Sequence, residues 1–151
     1  MSTSEREFTI VREFAAPREL VFKAWLDPDQ MTKWWGPHNY TTPRSTIETD
    51  PRPGGKYRAT MVSDESGAEY GTSGTYREIV EPERLVFTWG DPTADGSTER
   101  ESVVTVTFDQ TGDKTTMTFH LVAPGPLAEE DGAEDGWGQS LDRLVGFVGE
   151  L

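Results

Sequence analysis

The chain has no cysteine, which excludes a disulfide framework, a thiolate nucleophile and a cysteine-ligated zinc, while leaving the redox compartment open. Histidine is nearly as scarce: His38 and His120 are the only two, and their separation matches no transition-metal spacing. Basic residues are few as well, 14 against 27 acidic, for a formal net charge of −13. Such a field repels phosphate backbones and anionic lipid surfaces, so nucleic acid is not an expected partner. The acidity itself reads as solubility, or as adaptation to a salty cytoplasm. No apolar run approaches the ~20 residues of a membrane span, and the opening Met1-Ser2-Thr3-Ser4-Glu5-Arg6-Glu7 lacks the apolar core of a secretory signal. Internal repeats and low-complexity tracts are also missing. A soluble, cytoplasmic protein with no membrane partner is the expectation.

Periodicity is what the sequence does have. Within residues 136–148, Trp137, Leu141, Leu144, Val145 and Val148 recur on one helical face, with Gln139, Asp142 and Arg143 on the other. This stripe needs a cover, and the preceding chain supplies five or six strand-like segments. Phe8, Ile10 and Phe14 mark the first. Two short helices follow: one opened by Pro17 with Leu20, Val21, Ala24 and Trp25, and one capped by Asp27 or Asp29 with Met31, Trp34 and Trp35, stopped at Gly36-Pro37.

Beyond Tyr40 the period becomes two. Strands are expected at 46–50, then through Tyr57, Ala59 and Met61, after the Gly54-Gly55 turn. Another spans 70–80, where Tyr76 and Ile79 share a face only if a bulge intervenes. Leu85, Phe87 and Trp89 give a strand with a heavy apolar face, followed by a long polar loop at 90–100. Val104, Val106 and Phe108, then Met117, Phe119 and Leu121, complete an antiparallel meander that Pro124-Gly125-Pro126 closes. The acidic stretch 127–135 suits an extra turn or cap at the N-terminus of the last helix. The fold class is therefore α+β: a curved antiparallel sheet of about six strands wrapped around a long C-terminal helix, with two short helices after the first strand. At 151 residues, one domain over 1–151 is expected.

This order resembles the helix-grip fold of the START-like (SRPBCC) superfamily. Particular words narrow it: Trp34-Trp35-Gly36-Pro37, Asp50-Pro51-Arg52-Pro53-Gly54-Gly55, Gly74-Thr75-Tyr76-Arg77-Glu78-Ile79, Pro82-Glu83-Arg84-Leu85-Val86-Phe87-Thr88-Trp89, and Gly136-Trp137 followed by Leu141-Asp142-Arg143-Leu144. Together and in this order they are similar to the bacterial family named after the activator of the ninety-kilodalton heat-shock chaperone's ATPase. Members differ in function, so the family name is not an activity. Relatives often carry a histidine shortly before the Gly-Trp pair. Here that stretch reads Asp131-Gly132-Ala133-Glu134-Asp135, so any chemistry owed to that histidine is lost. Gly138, Gly146 and Gly149 also lie in the last helix, and close backbone approach to the sheet or yielding to a ligand would each account for them.

Catalytic and metal chemistry find little support. His120 alternates with Met117, Phe119 and Leu121, which places it on the outer sheet face. His38 follows Trp-Trp-Gly-Pro near the expected cavity mouth, and Glu78 is the carboxylate best placed for acid–base work if buried. Glu129-Glu130-Asp131 lacks a calcium-loop pattern. No metal or cofactor is expected. The aromatic set is the stronger signal: Trp35, Tyr57, Tyr76, Phe87, Trp89, Phe119 and Trp137, with Met61 and Leu141, belong to elements that face one another across a helix-grip interior. Each alone is an ordinary core residue. As a set they suggest a cavity between sheet and helix that binds a small hydrophobic or amphipathic molecule, in a monomer. The alternatives are a co-chaperone-like module that docks a protein partner such as a chaperone, and a cyclase- or hydrolase-type enzyme. The enzyme reading requires a buried Glu78 or an inward His38.

Overall fold

The computed structural model describes residues 6–89, 102–123 and 133–150. The expectations for the polar loop at 90–100, the closure at 124–126 and the acidic stretch up to residue 132 lie outside the described residues. Strand β1 (Arg6–Phe14) leads into helices α1 (Arg18–Leu26) and α2 (Pro28–Trp34). Strands β2 (Tyr40–Thr41), β3 (Glu48–Thr49), β4 (Lys56–Ser63), β5 (Glu69–Val80), β6 (Arg84–Trp89), β7 (Ser102–Thr111) and β8 (Lys114–Ala123) follow, and α3 (Ala133–Gly149) ends the chain.

The strands form one eight-stranded sheet in the order β1-β8-β7-β6-β5-β4-β2, with β3 also paired to β4. Every pairing is antiparallel. The long strands are those the alternation predicted; β2 is an addition, and β2 and β3 have two residues each. The strand expected at 46–50 is cut to β3 because Arg44–Thr46 is a 3-10 turn. There the Thr46 hydroxyl donates to the Pro43 carbonyl (2.7 Å) and accepts from the Thr60 amide (3.2 Å), local bonds that compete with a ladder.

Register decides which side chains face inward. A shift between Tyr76 and Glu78 places Tyr76 opposite Phe87 and Ile79 opposite Leu85, so the bulge brings Tyr76 and Ile79 to one face and turns Arg77 and Glu78 outward. Asp27 caps α2 by accepting from the Asp29 amide at 2.9 Å. The core lies between the inner sheet face and the three helices: Phe14, Val21, Phe22, Trp25, Trp34, Leu85, Phe108, Met117, Leu141 and Leu144 are at most 2% exposed. Trp137, Leu141, Leu144 and Val148 of α3 are buried and Val145 is half-buried, as the helical spacing requires.

Close approach does not explain the α3 glycines. A Cβ at Gly146 or Gly149 would meet nothing within 4 Å, and one at Gly138 would lie 3.7 Å from the Arg12 guanidinium, an ordinary contact. Gly146 is exposed and mid-helix. Replacing it with alanine should therefore stabilise the protein by about 0.5–1 kcal/mol through reduced freedom of the unfolded chain. Urea unfolding of Gly146→Ala checks this, and a loss of stability would mean the position needs glycine.

Candidate functional site

The last turn of α2 and the chain behind it are held by α3. Trp34 is fully buried and its indole N–H donates to the Ala24 carbonyl at 3.0 Å, tying α2 to α1. Gly36 then takes φ +102°, and a Cβ there would sit 3.0 Å from Met61 Sδ, so the Trp-Trp-Gly-Pro word turns the chain where a side chain would be strained. Ser140 of α3 reads both sides of this turn. Its hydroxyl donates to the Trp34 carbonyl (2.8 Å) and accepts from the Gly36 amide (3.1 Å).

Arg143 completes the clasp by donating to the carbonyls of Gly36 (2.8 Å), Pro37 (3.2 Å) and Tyr40 (3.3 Å). Its expected place on the solvent side is corrected accordingly: the guanidinium is half-buried over backbone oxygens, and burial lowers its pKa, with Asp64 opposing. The Gln139 side chain accepts from the His38 amide at 3.0 Å. Polar side chains of α3 that periodicity assigns to water therefore anchor the segment that carries Trp35.

Trp35 faces the interior, 6.0 Å from Tyr57 and 5.4 Å from Trp137 between ring centroids. Tyr57 of β4 lies 5.5 Å from Tyr76 and 5.6 Å from Phe87. Trp137 of α3 lies 5.5 Å from Trp89 and 4.7 Å from Phe119. All seven aromatic residues singled out from the sequence thus join one network. Leu141 is fully buried one turn beyond Trp137, while Met61 is half-buried beneath Gly36.

Trp25 was not singled out as a site residue, yet it links both halves of the network. It contacts Trp34 (4.8 Å), Phe87 (5.9 Å), Phe119 (6.2 Å) and Trp137 (6.2 Å). The apolar face of α1 was the available signal, since it already required Trp25 to be covered. Nothing local says by what.

Few polar groups enter this interior. The Tyr57 hydroxyl donates to the Thr88 carbonyl at 2.7 Å. Burial pushes the Tyr76 phenol up, with the Asp50 carboxylate adding to the shift, so it stays protonated. Among the described residues, every buried polar side chain is a neutral hydroxyl, on Thr42, Thr72, Thr88, Ser102, Thr115 or Ser140. The indole N–H groups of Trp25 and Trp137 are buried and meet no acceptor there. An unpaired buried donor costs about 1–3 kcal/mol.

The titratable candidates lie elsewhere. Glu78 is exposed and paired with Arg84 at 3.6 Å, His38 is exposed, and His120 on the outer face is 2.9 Å from Glu7. No group of three or more His, Asp or Glu able to hold a metal occurs among the described residues. Nor, among them, is any helix long and apolar enough to cross a membrane.

Solved structures share this architecture. A Chromobacterium violaceum protein is 26% identical, with a TM-score of 0.83 over 95% of this chain and 96% of its own. An Arthrobacter aurescens protein is 26% identical, with a TM-score of 0.81 over 96% and 87% of the two chains. The AHSA1 protein from Silicibacter pomeroyi is 27% identical, with a TM-score of 0.75 over 93% and 96%. Among curated proteins no sequence matches. The family model described as activator of Hsp90 ATPase homolog 1-like protein matches residues 15–149. With that match over β2 to β8, the Trp-Trp-Gly-Pro turn and the gripping helix, the chain belongs to the activator of Hsp90 ATPase homolog 1-like family.

Proposed function

We propose that this protein, acting as one domain over 1–151, binds a small hydrophobic or amphipathic molecule between the sheet and α3. The observation that carries this reading is the single aromatic network in which Trp35, Trp89 and Phe119 meet Trp137, and Tyr57, with Tyr76 and Phe87, joins through Trp35. Aromatic walls with few polar tips are the usual lining of ligand pockets. The START-like fold commonly binds hydrophobic ligands, which supports the same reading.

The protein-docking alternative draws support from the family description and from a net charge of −13 that suits a basic partner. It is the weaker reading, because the large apolar residues exposed among those described are scattered, with Val11 on β1, Leu20 on α1, and Tyr70 and Val80 near opposite ends of β5. The cyclase- or hydrolase-type reading loses its two candidates, since Glu78 and His38 both face solvent.

The test is an amide and indole NMR titration with a mixed library of lipids, flavonoids and polyketide-like aromatics. Shifts are expected to cluster on α3 and on the indole signals of Trp35, Trp89 and Trp137. Silence across the library, with retained binding of a basic protein partner in a pull-down at physiological salt, would replace this reading with the docking one.

A further inference from the structure

We propose that the molecule held in this interior is uncharged and carries a carbonyl-type oxygen that accepts a hydrogen bond from the Trp137 indole N–H. The proposal rests on the ligand-binding reading above and narrows its chemistry. Trp137 is 6% exposed and Trp25 2%, and the nitrogens of both meet no acceptor among the described residues. The two indoles lie nearly parallel, 6.2 Å apart at 19°, within the ring network that lines the proposed site. An indole N–H can only donate, so what is missing beside it is an acceptor.

Several other interior donors are already committed. The hydroxyls of Thr42, Thr72 and Ser140 donate to the carbonyls of Trp35 (2.8 Å), Ala59 (3.1 Å) and Trp34 (2.8 Å), and that of Tyr57 donates to Thr88. Among the described residues, the two indoles are the fully buried side-chain donors left without an acceptor. A carboxylate could also accept from them, but no buried cation among the described residues would compensate its charge, and the Arg143 guanidinium is taken up by three carbonyls. A cation would find ring faces but would also meet N–H groups of the wrong polarity. A neutral ketone, ester or quinone on an apolar body satisfies both the walls and the donor.

Four probes on one scaffold separate these cases: naphthalene, methyl naphthyl ketone, naphthoate and naphthyltrimethylammonium, titrated into the full chain and followed by nitrogen–proton correlation spectra of the indoles. The ketone is expected to bind about tenfold more tightly than naphthalene. It should move the Trp137 indole proton downfield, which naphthalene should not. In Trp137→Phe the ketone-to-naphthalene affinity ratio should fall toward unity. Should that variant not fold, the difference between the two wild-type shifts decides alone. Preference for naphthoate or the ammonium, or equal binding of naphthalene and ketone, overturns this proposal and leaves the broader reading standing. Failure of all four to bind counts against the ligand-binding reading itself.

Discussion

Gly74→Ala is expected to destabilise the protein by about 3 kcal/mol, as overpacking against atoms that cannot yield. An added Cβ would land on the backbone carbonyl of Thr88, well inside contact distance, and 2.8 Å from the Tyr57 ring. The carbonyl it would displace is the one that accepts the Tyr57 hydroxyl, and the neighbouring Thr75 amide donates to the Thr88 hydroxyl at 2.8 Å. Tyr57 is paired directly across from Gly74, so the missing side chain is what lets the phenol cross β5 and reach β6. At this chain length the loss should lower the melting temperature by roughly 6–12 °C. Thermal unfolding beside the stabilising Gly146→Ala variant checks both sign and size. A Gly74→Ala protein that melts with wild type would mean β5 and β6 are not this close.

Trp25→Ala should cost about 3–5 kcal/mol, the range for truncating a fully buried aromatic side chain. Trp25 is 2% exposed and touches rings from α2, β6, β8 and α3, so its removal opens the centre of the network rather than one edge. Trp25→Phe should cost much less. It keeps most of the ring contact and removes an N–H that meets no acceptor among the described residues, and release of that donor offsets part of the lost packing. Denaturant unfolding of both variants gives the comparison. Equal losses in the two would show that the indole nitrogen has an acceptor worth as much as the packing.

The two substitutions also mark how far the sequence could be read. Apolar alternation located the six long strands and the helical stripe located α3, because period and burial are coupled along a single element. The aromatic residues expected to face one another do so, since all but Tyr76 were placed on an inward face by their own strand or helix. For Tyr76 and Ile79 the alternation left the inward face open, with a bulge as the condition for sharing it, and the register shift supplies that bulge.

Contacts between distant elements were not legible. Gln139 and Arg143 look like solvent-facing positions of a helix, and only the arrival of the turn at 34–40, about a hundred residues earlier in the chain, supplies the amide and carbonyls they bind. Thr46 looked like a strand residue because alternation counts side chains and not the local bonds a threonine hydroxyl makes with its neighbours. Trp25 was recognisable as buried but not as the link between the two halves of the interior, and Gly74 as a strand interruption but not as the crossing point for Tyr57. The sequence by itself determined the family, the helix-grip order and which faces are apolar, because these follow from periodicity and short words. Tertiary structure alone decided which faces meet, which polar groups are clasped and which indoles are left without an acceptor, because those depend on packing between elements far apart in the chain.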